Sequence, residues 1–139
     1  MSETPDEKTL VEAVDALADR FRAMPQSRLL GAVPGHPSRA AAGLALARRL
    51  AAAAQAAEAA RSGGGAARSG GGAGGPLREL PDAGAFAVGD QLAVVGHDLA
   101  VALDALPADA VVAPADGAAT AEEVRARALR WLAETGAAV

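Results

Sequence analysis

The sequence predicts an all-α protein in which four helices form an up-down-up-down bundle, with a long glycine-rich loop between the second and third helices. Three observations lead to this prediction. Apolar residues recur at intervals of three and four positions in four separate stretches, which is the spacing of one helical face. Hydrophobic residues make up 51% of the chain, and many of them are alanine, the residue with the highest helix propensity. Capping boxes precede two of the stretches.

The length and composition predict one domain with a thin core. A chain of 139 residues is the usual size of a single domain, so we expect a single helical domain over residues 1–139. Alanine buries little surface, and the aromatic residues are only Phe21, Phe86 and Trp131. Such a domain often gains further burial from a partner.

The first helix is predicted to begin at Thr4. Proline stands at the first helical position, and Glu7 is placed to complete a capping box with the threonine. The buried stripe that follows comprises Leu10, Val14, Leu17, Phe21 and Met24. Pro25 ends or kinks this helix, since proline lacks the N–H that a helix interior needs.

The second helix is predicted from about Pro37 to Arg61, with a stripe that is mostly alanine. Its end runs into a tandem copy of ARSGGGA, at 60–66 and again at 67–73. Glycine-rich chain has great backbone freedom and little to bury, so we predict a disordered loop over residues 61–76 inside the domain. A phosphate-binding glycine loop would follow a strand and lead directly into a helix, and this strip does neither.

The third helix is predicted between Pro81 and Pro107. Its buried stripe comprises Phe86, Leu92, Val95, Leu99, Leu103 and Leu106, while Val94 and Val101 lie on the opposite side. The alternative is an α/β arrangement in which residues 91–96 form a strand that pairs beside residues 110–113.

The fourth helix is predicted to begin after a capping box made by Thr120 and Glu123 and to end at Gly136. Its inward-facing residues are expected to be Ala121, Val124, Ala128, Trp131 and Leu132.

Charge and composition argue against several classes of protein. Residues 1–80 carry a net charge of +2 and residues 81–139 a net charge of −6, which we interpret as two halves that pack against each other. Nucleic-acid binding would call for a net basic domain with aromatic stacking platforms. The absence of cysteine excludes disulfides and cysteine-ligated metals. The polar N-terminal residues and the charges within the apolar window 86–106 predict a cytoplasmic protein with no signal peptide and no membrane contact.

The leading functional hypothesis is a non-enzymatic helical bundle that acts through protein contacts, without a cofactor. Its partner would be another protein or a second copy of the chain in a homodimer. The residues expected to make the contact are Val94 and Val101 of the third helix with Arg48 and Arg49 of the second. A small-molecule pocket is a further possibility, if alanines of these two helices face each other across a gap.

Two fragments resemble the HD-domain phosphohydrolases: HPSRAAAGLALARRLA, which starts at His36, and LAVVGHDLAVAL, which contains His97 and Asp98. The resemblance implies an enzymatic alternative, a metal-dependent phosphohydrolase. In it these three residues would bind a divalent metal, and Asp104 or Asp116 would be the more distant acid. The same residues also fit a simpler interpretation. His36 would be a solvated histidine in a turn, and His97 would lie on the polar edge of the third helix.

Two other stretches resemble small uncharacterised helical proteins of high-GC actinobacteria. They are MPQSRL at 24–29 and LPDAGAFAVGDQLAVVGHDL at 80–99, and the resemblance covers most of the chain outside the glycine strip. It implies no activity and no catalytic residue.

Overall fold

The computed structural model describes residues 9–62, 80–113 and 117–139, and most of these residues are helical. The prediction of a mainly helical protein is therefore confirmed. The elements in chain order are α1 (Leu10–Ala23), α2 (Gln26–Leu29), α3 (Arg39–Arg61), a 3-10 turn (Ala85–Ala87), α4 (Val88–Asp104), β1 (Val111–Val112), β2 (Ala119–Thr120) and α5 (Ala121–Ala138). Most of the glycine-rich loop predicted at 61–76 lies outside the described residues, and Arg61 is the last residue of α3.

The helix that carries Leu10 begins after Thr9, so its predicted start at Thr4 was wrong. Thr9 has an extended backbone and caps α1, since its Oγ1 accepts from the Glu12 N–H at 3.1 Å. Its own N–H donates to Glu12 Oε1 at 3.0 Å. Thr9 and Glu12 repeat the Thr-x-x-Glu spacing directly before the apolar stripe, whereas Thr4 and Glu7 lie outside the described residues.

Proline ends α1 as predicted. Met24 is extended, with φ −78° and ψ 135°, because the ring of Pro25 disfavours helical geometry in the residue before it. The chain then makes the single turn α2 and a tight turn before α3. Ser38 caps α3 by accepting from the Ala41 N–H at 3.0 Å, so this helix starts two residues after the predicted Pro37.

Helix α4 packs along both α1 and α3, while α5 contacts α1 and α3. Glycines allow these close approaches. A Cβ at Gly96 would lie 2.5 Å from Val14 Cγ1, and one at Gly43 would lie 2.6 Å from Val88 Cγ1. The thin core is therefore filled by bringing helix backbones together, with Leu50, Leu92 and Leu99 fully buried among them.

Phe86 was predicted in the buried stripe and is instead 67% exposed. It belongs to the 3-10 turn that precedes α4, which follows Gly84 with its positive φ of 101°. Phe86 also lies six residues before Leu92, which is about 240° around an α-helix, so even a continuous helix would place it away from the buried stripe.

The strand alternative for residues 91–96 is wrong, because these residues lie within α4. The segment after α4 is extended, as that alternative expected, but its partner is different. Val111 and Val112 pair antiparallel with Thr120 and Ala119, immediately before α5.

Helix α5 is capped as predicted. The Thr120 hydroxyl accepts from the Glu123 N–H at 3.1 Å, and the Glu123 carboxylate accepts from the Thr120 N–H at 3.0 Å. The predicted end at Gly136 was wrong, since α5 continues to Ala138. Arg20 donates to the Gly136 carbonyl at 3.0 Å, and the buried Val139 follows the last turn. Trp131, predicted to face inward, is only partly buried.

Among the described residues, the span Ala85–Asp104 is long and apolar enough to cross a membrane by length and composition. Half of its most apolar window is buried inside the protein, as in the core helix of a globular domain.

Candidate interaction surface

Helix α4 carries two large apolar side chains in solvent. Val94 is 61% exposed and Val101 is 66% exposed, although most of the other apolar residues of α4 are buried. The two valines are seven residues apart and therefore share one side of the helix, with Asp98 between them. We call these three residues the α4 outer face.

The α4 outer face borders a groove between α3 and α4 with a volume of about 370 Å³. Apolar side chains make up most of its lining, and Gln55, Glu58 and Asp98 are polar. The apolar lining consists of Ala51, Ala54, Leu80, Pro81, Val94 and Val95. The groove is thus a mainly apolar depression with two carboxylates.

A second cleft, of about 450 Å³, lies nearer the start of α3. Alanines at 40, 41, 45 and 85 line it together with Leu30, Leu44 and Val88. Three of these alanines belong to α3 and the fourth to the 3-10 turn, so alanines of α3 and α4 do not face each other across this cleft. Its polar residues already hold protein groups: Ser38 caps α3, Asp82 accepts from the Gly84 N–H at 3.0 Å, and Arg48 donates to the Leu80 carbonyl at 2.9 Å.

Most carboxylates near the α4 outer face have an ion-pair partner. Arg22 Nε lies 2.9 Å from Asp90 Oδ1, and Arg22 Nη1 lies 3.0 Å from Asp19 Oδ1. Its hydrogen bond to Asp90 raises the pKa of the guanidinium above its usual value, so the group stays charged. His97 Nε2 lies 2.8 Å from Asp15 Oδ1, which joins α4 to α1.

Asp98 and Glu58 differ from these carboxylates. Within the part of the chain that the structure describes, neither side chain forms an ion pair or a hydrogen bond. Both are exposed and both line the groove. Their charge is therefore available to a ligand that enters the groove.

The two arginines named from the sequence make contacts within the protein. Arg49 places its guanidinium 5.1 Å from the centroid of the Trp131 ring, a cation–π contact between α3 and α5. Arg48 holds the Leu80 carbonyl beside the groove. The surface described here therefore depends on the two valines rather than on these arginines.

The three candidate metal ligands lie in different surroundings. His36 lies in the turn before α3, where its backbone pairs with Val33. His97 contacts Asp15 of α1, whereas Asp98 lines the groove beside α3. Asp104 accepts from Arg125 at 2.9 Å, and Asp116 lies outside the described residues. Among the residues described, no group of three or more His, Asp or Glu side chains is placed to hold a metal ion.

Sequence reasoning missed Glu58 and Gln55 as part of a surface. A signal for them exists, because both lie on the side of α3 that also carries Ala51 and Ala54, at intervals of three and four residues. That spacing does not show which helix lies opposite.

Comparisons with protein-family models, with curated proteins and with solved structures found no match to this chain.

Proposed function

We propose that this chain is a non-catalytic helical domain that binds another protein through the α4 outer face. In this proposal α1, α3, α4 and α5 form a helical bundle, and α4 presents the surface. The predicted up-down-up-down order is wrong, because Gly43 meets Val88 while residues 51–58 lie beside residues 94–98, so α3 and α4 run in the same direction. The observation that supports it most is the exposure of Val94 and Val101 on one side of the helix that otherwise carries much of the core.

The two valines have no evident role in the fold. Valine has a lower helix propensity than alanine or glutamate, so an exposed helical valine contributes less to folding than either would. Burying a whole valine side chain contributes about 1.5–3 kcal/mol, and each of these is about two-thirds exposed. Covering both would add about 2–4 kcal/mol to the stability of a complex.

The enzymatic alternative receives less support from the geometry. The residues that the HD-domain resemblance assigns to a metal face a turn, α1 and the α3–α4 groove respectively. A metal ligand set needs its donor atoms at about 2 Å from one ion, and these three contribute to separate contacts.

The experiment compares three immobilised forms of the chain: wild type, V94E/V101E and V111E. Val111 is a matched control because it is also a large exposed valine, at 67%, but belongs to β1. We expect a protein from the lysate of the source organism to be retained by wild type and V111E and lost by V94E/V101E. Far-UV circular dichroism checks that all three forms are folded.

Retention of the same proteins by all three folded forms would overturn the proposal. Light scattering over a range of concentrations identifies the case in which the partner is a second copy. A concentration-dependent increase in mass that disappears in V94E/V101E assigns the surface to self-association.

A further inference from the structure

We infer that the partner presents a basic amphipathic helix, which docks along the α3–α4 groove with its apolar side on Val94 and Val101 and its cations beside Glu58 and Asp98. This inference rests on the proposed function and specifies the chemistry of the partner.

The shape of the surface fits a helix. Val94 and Asp98 line the groove from α4, and residues 51–58 of α3 line it from the other side over two turns. Val101 follows Asp98 on the same side of α4 and extends the apolar surface beyond the groove. Two helices that enclose an apolar depression form the usual receptor for the apolar face of a third helix, which inserts side chains at intervals of three and four residues. The alanines at 51 and 54 leave room for larger side chains from the partner.

The charge of the surface selects a basic partner. Asp19 and Asp90 near this face share one cation of the chain itself, Arg22, and Asp15 lies 2.8 Å from His97 Nε2. Glu58 and Asp98 have no such cation among the described residues, and they sit beside the exposed apolar side chains. A helix with lysine or arginine on the borders of its apolar stripe would neutralise both, which favours the correct partner and its orientation.

The same charges disfavour a second copy of the chain. A two-fold dimer places identical patches against each other, so Asp98 and Glu58 of one copy would approach the acidic border of the other. Arg22 near this border already contacts two carboxylates of its own chain, and Arg61, three residues after Glu58, is one cation against the two carboxylates of the patch. Like charges across an interface reduce affinity, so self-association through this face is expected to be weak.

The test uses the full chain and two fluorescein-labelled synthetic peptides of about 14 residues, which is about four helical turns. Both carry leucine at intervals of three and four positions. One has lysine beside the leucine stripe, and the other has glutamate at the same positions. Fluorescence anisotropy measures Kd for wild type, V94E/V101E, E58Q/D98N and a charge-matched control, D109N/E134Q. Asp109 and Glu134 are exposed and lie outside the groove.

We expect the lysine peptide to bind wild type and D109N/E134Q equally, and at least ten times more tightly than the glutamate peptide. E58Q/D98N should raise its Kd by about ten-fold and make binding less sensitive to salt, because fewer charges are neutralised on binding. V94E/V101E should abolish saturable binding of the peptide. Circular dichroism and Tm confirm that each variant is folded.

The outcomes separate the inference from the proposed function. If V94E/V101E loses a protein partner but E58Q/D98N binds the lysine peptide as wild type does, the basic-partner inference is overturned and the proposed function stands. Equal binding of the two peptides, or no saturable binding of the lysine peptide, also overturns the inference. If light scattering shows a dimer that V94E/V101E dissociates, the occupant is a second copy and the inference is wrong. If neither valines nor carboxylates affect any binding, both proposals fail.

Discussion

Replacing Gly96 by alanine tests whether close helix contact holds this core together. The new Cβ would lie 2.5 Å and 2.6 Å from the two γ carbons of Val14 and 3.1 Å from its Cβ. Ordinary contact between such atoms begins near 3.4 Å, so α1 and α4 must separate by about 0.9 Å. Val14 cannot turn away, because it is completely buried and a β-branched side chain in a helix has one preferred rotamer.

The expected cost combines two effects of opposite sign. Overpacking of a close-packed core costs about 1–3 kcal/mol, and the upper end applies here because both γ carbons of Val14 obstruct the new methyl. Alanine recovers about 1 kcal/mol through its higher helix propensity. We therefore expect Gly96→Ala to lower the free energy of unfolding by about 2 kcal/mol and Tm by roughly 8 °C.

Gly136→Ala is the matched control within the same protein. Its Cβ would meet Arg20 Nη1 at 3.4 Å and Leu17 Cδ1 at 3.9 Å, both ordinary contacts. Only the gain in helix propensity remains, so this variant should be as stable as wild type or more stable by up to about 1 kcal/mol.

Val14→Ala in the Gly96→Ala background completes a double-mutant cycle. Val14→Ala alone removes two buried methyl groups and should cost about 1.6 kcal/mol, but it also removes the two closest obstructions to the new methyl. The double variant should therefore be more stable than the sum of the single effects predicts, by at least about 1 kcal/mol. Urea denaturation followed by circular dichroism measures all four forms. A Gly96→Ala protein as stable as wild type, or strictly additive effects, would refute the close-packing argument.

Three further outcomes are expected from thermal denaturation. Arg39→Ala should destabilise the fold by about 1–2 kcal/mol, because Arg39 Nε donates to the Val139 main-chain oxygen at 3.1 Å; an unchanged Tm would show that this contact contributes nothing. Phe86→Ser should change stability by less than about 0.5 kcal/mol, as for other exposed residues, and a loss of several kcal/mol would place Phe86 in the core after all. Adding Mn²⁺ should leave Tm unchanged, since His97 pairs with Asp15; a Mn²⁺-dependent rise that His97→Ala removes would instead support the metal-dependent alternative.

The elements that could be predicted from the sequence depend on local interactions. The stripe from Leu10 to Phe21 is buried as expected, and the Thr120 capping box forms as expected, because both follow from residues three or four positions apart. The start of α1 was misplaced because two Thr-x-x-Glu patterns stand in succession, and their spacing alone does not decide between them.

The candidate surface also has one part that could be predicted from the sequence and one part that could not. The outward position of Val94 and Val101 follows from the period of the helix and was predicted. Which acids remain unpaired could not be predicted, because Asp90 meets Arg22 and His97 meets Asp15 only after α1 and α4 pack together. Phe86 was misplaced for a different reason: its spacing of six residues from Leu92 does not match the helical period, so the pattern itself argued against a buried position.

By itself, the sequence determined that this chain is mainly helical, where most of its helices run, and that α4 has a second apolar side. Only the tertiary structure decided that α4 approaches α1 and α3 through Gly96, Gly89 and Gly43, and that Glu58 and Asp98 come to share one groove. The physical reason is distance along the chain. Helix formation and capping are decided within one turn, whereas helix approach and ion pairing depend on side chains dozens of residues apart.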